Sequence, residues 1–166
     1  MATDKKAEVE RRLVQNMGRL TELARYLTAG YAIDADDVLQ RTCERVVLRW
    51  YQWSGEGFDT WVRAILVSQV REERKSAAIR RTEDIDEVVV SDPVATASME
   101  AVLTRQDITR IWPHLSLAHR EVLLLVGLEG YTDAEAAEML DVPVGTVASR
   151  MARARQVAQR LLAETS

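Results

Sequence analysis

The chain has 166 residues, a normal apolar share, 29% charged residues and a net charge of −4, so it can build a core and offers no global positive field toward nucleic acid. One cysteine, Cys43, excludes an internal disulfide, and with only two histidines there is no metal-type Cys/His spacing. The charged N-terminus reads as no signal peptide, and no apolar run approaches the roughly 18 residues of a membrane span, so the sequence is expected to be soluble and cytoplasmic, with no membrane insertion.

Alanine, leucine, glutamate and arginine are abundant and glycine is scarce, which favours helix almost throughout. In chain order, Val9, Leu13, Met17, Leu20, Ala24 and Leu27 recur at spacings of three and four and predict a first helix over about residues 5–28, stopped by Gly30. A second helix is predicted over about 34–51. Asp34 is its N-cap, Asp36 and Asp37 favour its positive end, and Val38, Thr42, Val46 and Trp50 form its buried stripe. "QWSGEG" reads as a loop, and Phe58 and Asp59 lead into a third helix, about 59–77, with Trp61, Ile65 and Gln69 on one side.

Residues 78–98 lack a sustained period, carry a run of acids and contain Asp92-Pro93; they read as a flexible linker. A helix is expected near 99–112 before Pro113, then one over 117–128 capped by Ser116 and closed by Gly130. Thr132 and Glu135 have the spacing of a capping box for a short helix ending near Leu140, and Pro143 suits the first position of the last helix.

In that last helix, Val144, Val147, Met151, Ala154, Ala158 and Leu161 fall on one apolar stripe. Thr146, Ser149, Arg150, Arg153 and Arg160 fall on another face, with no acid from Gly145 to Leu162. The segment before it, Glu129 to Asp141, has five acids and no base. A short helix, a tight turn and a second helix with polar outer positions form a helix-turn-helix, whose second helix commonly enters the DNA major groove. Gly145 and Thr146 lie at its leading end, Thr146 and Ser149 offer hydroxyls, and Arg150 and Arg153 have the reach for phosphate or guanine. A solvated amphipathic hairpin is the bland alternative.

"LSLAHREVLLLVGLEGYTDAEAAEMLDVPVGTVASRMARAR" resembles the promoter-reading C-terminal domain of bacterial sigma factors. "DADDVLQRTCERVVLRW" resembles the family's core-polymerase-binding helix, and "FDTWVRAILVSQVREERK" the following helix that acts on melted DNA. The order of these motifs is that of extracytoplasmic-function (group four) sigma factors of the sigma-70 family.

The resemblance implies an all-α fold of two small helical domains joined by a flexible linker: a region-two-like domain over 1–77, the linker at 78–98, and a region-four-like helix-turn-helix domain over 99–166. It implies core RNA polymerase (β′ and β subunits) as a partner, with Asp34, Asp36, Asp37, Gln40, Arg41 and Glu44 on the helix that docks on the β′ clamp. It implies contact with the −10 element of promoter DNA through Trp53, Phe58, Arg63, Ser68, Arg71, Arg74 and Lys75, and with the −35 element through Gly145, Thr146, Ser149, Arg150 and Arg153. Trp50 and Trp61, on apolar stripes, read as core, which leaves Trp53 as the loop aromatic for a base.

Many relatives carry Phe where Cys43 stands, Asn near Ser68, a base at Ala148 and an aromatic or His at Ala152. The resemblance also implies an anti-sigma partner and no cofactor. No nucleophile–base set, metal cluster or phosphate loop supports an enzyme. A stand-alone helix-turn-helix regulator accounts only for the C-terminal half, and a sigma-like decoy for an anti-sigma factor leaves the arginines of the last helix unexplained.

Overall fold

The computed structural model describes residues 1–81 and 105–164, and all regular structure among the described residues is helical. They form two compact units, one up to residue 81 and one from residue 105.

In the first unit, α1 runs Ala2–Thr28 and buries Val9, Leu13, Leu20, Leu23, Ala24 and Leu27 along one face. Of the predicted stripe only Met17 is half-buried; its sulfur lies 3.6 Å from the Cys43 thiol. Gly30 takes the left-handed conformation (φ 81°) just beyond the helix, which glycine adopts without a Cβ clash. Helix α2, Ala35–Leu48, starts where Asp34 accepts from the Asp36 and Asp37 amides at 2.8 and 3.4 Å. It buries Val38, Thr42 and Val46. The chain then tightens into a 3-10 turn, Trp50–Gln52, so Trp50 leaves the α2 stripe and is only half-buried.

Helix α3, Phe58–Arg81, buries Phe58, Val62, Leu66 and Val70 at a spacing of four, with Val67 and Gln69 beside them. The expected inner line of Trp61, Ile65 and Gln69 is therefore one residue out of register. Trp61 and Ile65 are half-buried, because Val62, Leu66 and Val70 form the wholly aliphatic line that α1 and α2 cover. Gln69 is buried because its side-chain carbonyl, oriented to suit its surroundings, accepts from Arg45 Nε at 3.2 Å. Helix α3 also continues through Arg81, so positions 78–81 of the expected linker are helical; the rest of the linker lies outside the described residues.

In the second unit, α4 is described over Arg105–Ile111, and residues 99–104 of the expected helix lie outside the described residues. A 3-10 turn, Trp112–His114, carries Pro113 and buries Trp112. Helix α5, Leu117–Val122, is capped by Ser116, whose Oγ accepts from the His119 amide at 3.3 Å. It widens into a π-helical turn, Leu123–Leu128, where the Glu129 amide reaches back to Leu124 O at 2.8 Å. Gly130 (φ 77°) closes it.

Helix α6, Asp133–Leu140, has the predicted capping box: Thr132 Oγ1 accepts from the Glu135 amide at 3.2 Å, and Glu135 Oε2 from the Thr132 amide at 2.8 Å. Asp141 ends it in the left-handed region (φ 54°). Helix α7 runs Val144–Glu164, with Pro143 just before its first residue rather than in it; Pro143 O accepts from the Thr146 amide at 3.0 Å. No helix among the described residues is long and apolar enough to cross a membrane.

Candidate nucleic-acid and polymerase interfaces

The six residues expected on the docking helix divide by role. Asp34 is occupied as the α2 cap, and Asp36 and Asp37 stand exposed in the first turn. Asp37, Gln40, Arg41 and Glu44, at spacings of three and four, share one outer face and line a shallow surface depression. Gln40 Nε2 donates to Glu44 Oε1 at 3.1 Å, and Arg41 pairs with Glu73 of α3. One turn on, Arg45 makes a forked contact with Glu72 of α3 at 3.1 and 3.4 Å. The depression is therefore set against α3 by charge pairs that the sequence, read helix by helix, does not reveal.

The residues expected at melted DNA do not form one surface. Trp53 is 4% exposed. Its Nε1 donates to Glu56 O at 2.8 Å, Phe58 meets it edge-to-face at 5.4 Å, and the Arg12 guanidinium lies 5.3 Å from its ring centre. Phe58 is equally buried. Both side chains are core in this arrangement, so the loop position that makes Trp53 the candidate for a base contact does not expose its ring. The loop's small and polar composition concealed that the indole turns inward and satisfies its own N–H on the loop backbone.

At 100° per residue, Ser68, Arg71 and Lys75 fall on the ridge of α3 opposite Leu66, while Arg63 and Arg74 lie on a flank. Ser68 and Lys75 are exposed and Arg71 is half-buried. On the flank, the Arg74 guanidinium covers the Tyr31 ring at 5.4 Å. Trp61, expected in the core, shares the ridge with Ser68 and Lys75 and keeps part of its surface open, with Phe58 5.9 Å away. Its position is legible only once the helix's buried line is known.

Helix α7 separates its faces as expected: Val147, Met151, Ala154 and Ala158 are buried, while Val144 and Leu161 at the ends of the stripe are not. Gly145 is exposed, and Thr146, Ser149, Arg150 and Arg153 are half-buried on the polar side. At 100° per residue Gly145, Ser149, Ala152 and Gln156 lie opposite the buried line, with exposed Ala148 on a flank. His119 of α5, absent from the expected site, lies in the field of Arg153 and Arg150. Burial first, and then these two charges, push its pKa below the ordinary 6.5. No cluster of His, Cys, Asp and Glu among the described residues is arranged to hold a metal ion.

The family model described as Sigma-70, region 4 matches residues 105–156, which span α4 to most of α7. The chain is 33% identical over 151 residues to the extracytoplasmic-function RNA polymerase sigma factor SigM of Mycobacterium tuberculosis, covering 87% of this chain and 71% of that protein. It is 31% identical over 139 residues to the sigma factor EcfG of Rhodopseudomonas palustris, covering 81% and 74%. Among solved structures, the sigma factor RpoE of Bartonella quintana, in complex with the anti-sigma factor NepR, superposes with a TM-score of 0.70 at 23% identity over 93% of this chain and 96% of that one. CnrH, in complex with the cytosolic domain of CnrY, superposes with a TM-score of 0.59 at 21% identity over 98% and 97%. These two likenesses concern the fold. With the sequence relatives and the region 4 match, they place the chain in the extracytoplasmic-function group of the sigma-70 family, and it belongs to that family of RNA polymerase sigma factors.

Proposed function

We propose that this sigma factor binds core RNA polymerase through the exposed face of α2, reads promoter DNA with α3 and α7, and supplies no catalytic group itself. The observation that carries the reading is the division of α7. Its apolar stripe is consumed in the core, which leaves Thr146, Ser149, Arg150 and Arg153 on the polar side of a helix-turn-helix. A helix that kept only a solvated face would need neither the tight turn before it nor the absence of acids from Gly145 to Leu162.

In this reading Asp37, Gln40, Arg41 and Glu44 meet the β′ clamp, and Asp34 and Asp36 keep the start of α2 in place. Ser68, Arg71 and Lys75 track the separated strand at the −10 element, with Arg63 and Arg74 on the flank toward its backbone. Trp61 replaces Trp53 as the aromatic available to a base. Trp53 and Phe58 act indirectly, by holding the loop and the start of α3. Gly145, Thr146, Ser149, Arg150 and Arg153 meet the −35 element. The complexes of related folds with NepR and CnrY support an anti-sigma protein as a further partner of this chain.

The test is run-off transcription with core polymerase from the source organism, using the parent chain, Asp37→Arg and Arg153→Ala. Promoter-dependent transcripts from the parent, lost with Asp37→Arg and reduced with Arg153→Ala, support the reading. Tight, sequence-specific binding of duplex DNA by the free chain at physiological salt favours a stand-alone regulator, because a net charge of −4 gives little long-range attraction to phosphate.

A further inference from the structure

Two large apolar side chains at the end of α2 have no role in the first unit's core. Leu48 is 74% exposed and Tyr51 is 60% exposed. Leu48 stands four residues after Glu44, so it continues the row Asp37, Gln40, Arg41 and Glu44 by one more turn. Tyr51 follows in the 3-10 turn, where Trp50 meets its ring edge-to-face at 6.1 Å. A row of exposed polar side chains thus runs into exposed Leu48, and exposed Tyr51 follows three residues later in the chain.

Exposed leucine by itself is ordinary, but an aromatic and a leucine adjoining a polar recognition row form the usual anatomy of a protein interface. Tyrosine suits an anchor position because it offers a large, stiff contact area at low entropic cost. Nothing in the fold explains the turn's presentation of Tyr51 outward: the same turn sends the next aromatic, Trp53, into the core.

We infer that Leu48 and Tyr51 are the apolar anchor of the polymerase-docking face, seated in an apolar recess of the core enzyme subunit that meets Asp37, Gln40, Arg41 and Glu44. The inference rests on the docking role proposed above for that row, and it extends the contact beyond the polar residues the sequence resemblance names. The polar row sets register, and the anchor lengthens the lifetime of the complex.

The experiment measures binding of full-length chain to purified core polymerase by fluorescence competition, for the parent, Leu48→Lys, Tyr51→Ser and Asp37→Arg. Both anchor positions are exposed, so the variants should keep the parent's helical circular dichroism. The expected result is a loss of affinity of about ten-fold or more for Leu48→Lys and for Tyr51→Ser, carried mainly by faster dissociation. If Asp37→Arg weakens binding while both anchor variants bind as the parent does, the anchor is wrong and the docking row stands. If Asp37→Arg and the anchor variants all bind as the parent does, the docking row fails with it. A change confined to self-association in sedimentation overturns the inference and assigns the patch to a second copy of the chain. Loss of binding to an anti-sigma protein with unaltered core affinity overturns it as well.

Discussion

Replacing Trp53 with alanine removes the largest aromatic side chain buried where α1, the loop and α3 meet. The loss combines the buried indole, the edge-to-face contact with Phe58 at 5.4 Å, and the Nε1 bond to Glu56 O at 2.8 Å. Truncation of a buried Phe or Trp to alanine costs about 3–5 kcal/mol, a range that already includes these contacts. Of that, the hydrogen bond accounts for about 1 kcal/mol and the ring pair for about 0.5–1.5 kcal/mol. The Arg12 contact adds little, because Arg12 is exposed. A small domain has about 5–15 kcal/mol in total, so Trp53→Ala consumes a large part of the first unit's margin. Trp53→Phe keeps most of the apolar area and should cost markedly less, about 1–2 kcal/mol by the same reasoning.

The assay is native-state hydrogen exchange of the amides of Leu20, Val62 and Leu66 in the full chain, which reports the opening of this unit separately from the second. The expected order of protection is parent, then Trp53→Phe, then Trp53→Ala, with the amides of Leu124 and Val147 unchanged. If Trp53→Ala keeps parental protection in the first unit but abolishes strand opening on a promoter, Trp53 is a DNA contact. The burial argument would then be wrong.

Asp34→Ala should destabilise the first unit by about 1 kcal/mol through the lost cap, measured as faster exchange in the first turns of α2. Burial, then the charges of Arg153 and Arg150, lower the folded pKa of His119, so the unfolded chain takes up the proton more readily. Stability of the second unit should therefore be full above the ordinary value of 6.5 and decline as pH falls through the lower folded pKa, and His119→Gln should remove that part of the decline in urea titrations at stepped pH. Arg153→Ala and Ser149→Ala should leave the second unit folded, whereas Met151→Asp should unfold it by placing a carboxylate in the buried stripe; circular dichroism distinguishes them. If Arg153 contacts a base edge, its loss should relax preference at one upstream base pair by about 1–3 kcal/mol. A phosphate contact would instead lower binding on all templates and flatten the salt dependence.

The local signals were legible in the sequence because each is settled within a few residues. Asp34, Ser116 and the Thr132–Glu135 pair satisfy amides two or three positions away, and Gly30 and Gly130 supply backbone angles that other residues resist. The stripes of α1 and α7 were legible for the same reason, since one strong apolar line dominates each helix. Helix α3 has two competing lines one residue apart, and only the packing of α1 and α2 against it selects Val62, Leu66 and Val70 over Trp61 and Ile65. That choice also turns Trp61 outward, while the chain's path after α2 brings Trp53 in. The charge pairs of Arg41 with Glu73 and of Arg45 with Glu72, and the field of Arg150 and Arg153 on His119, join residues about 30 positions apart. Sequence periodicity describes one helix's faces relative to each other; which face meets which neighbour is set by the burial of the whole unit's apolar surface, and only tertiary packing decides it.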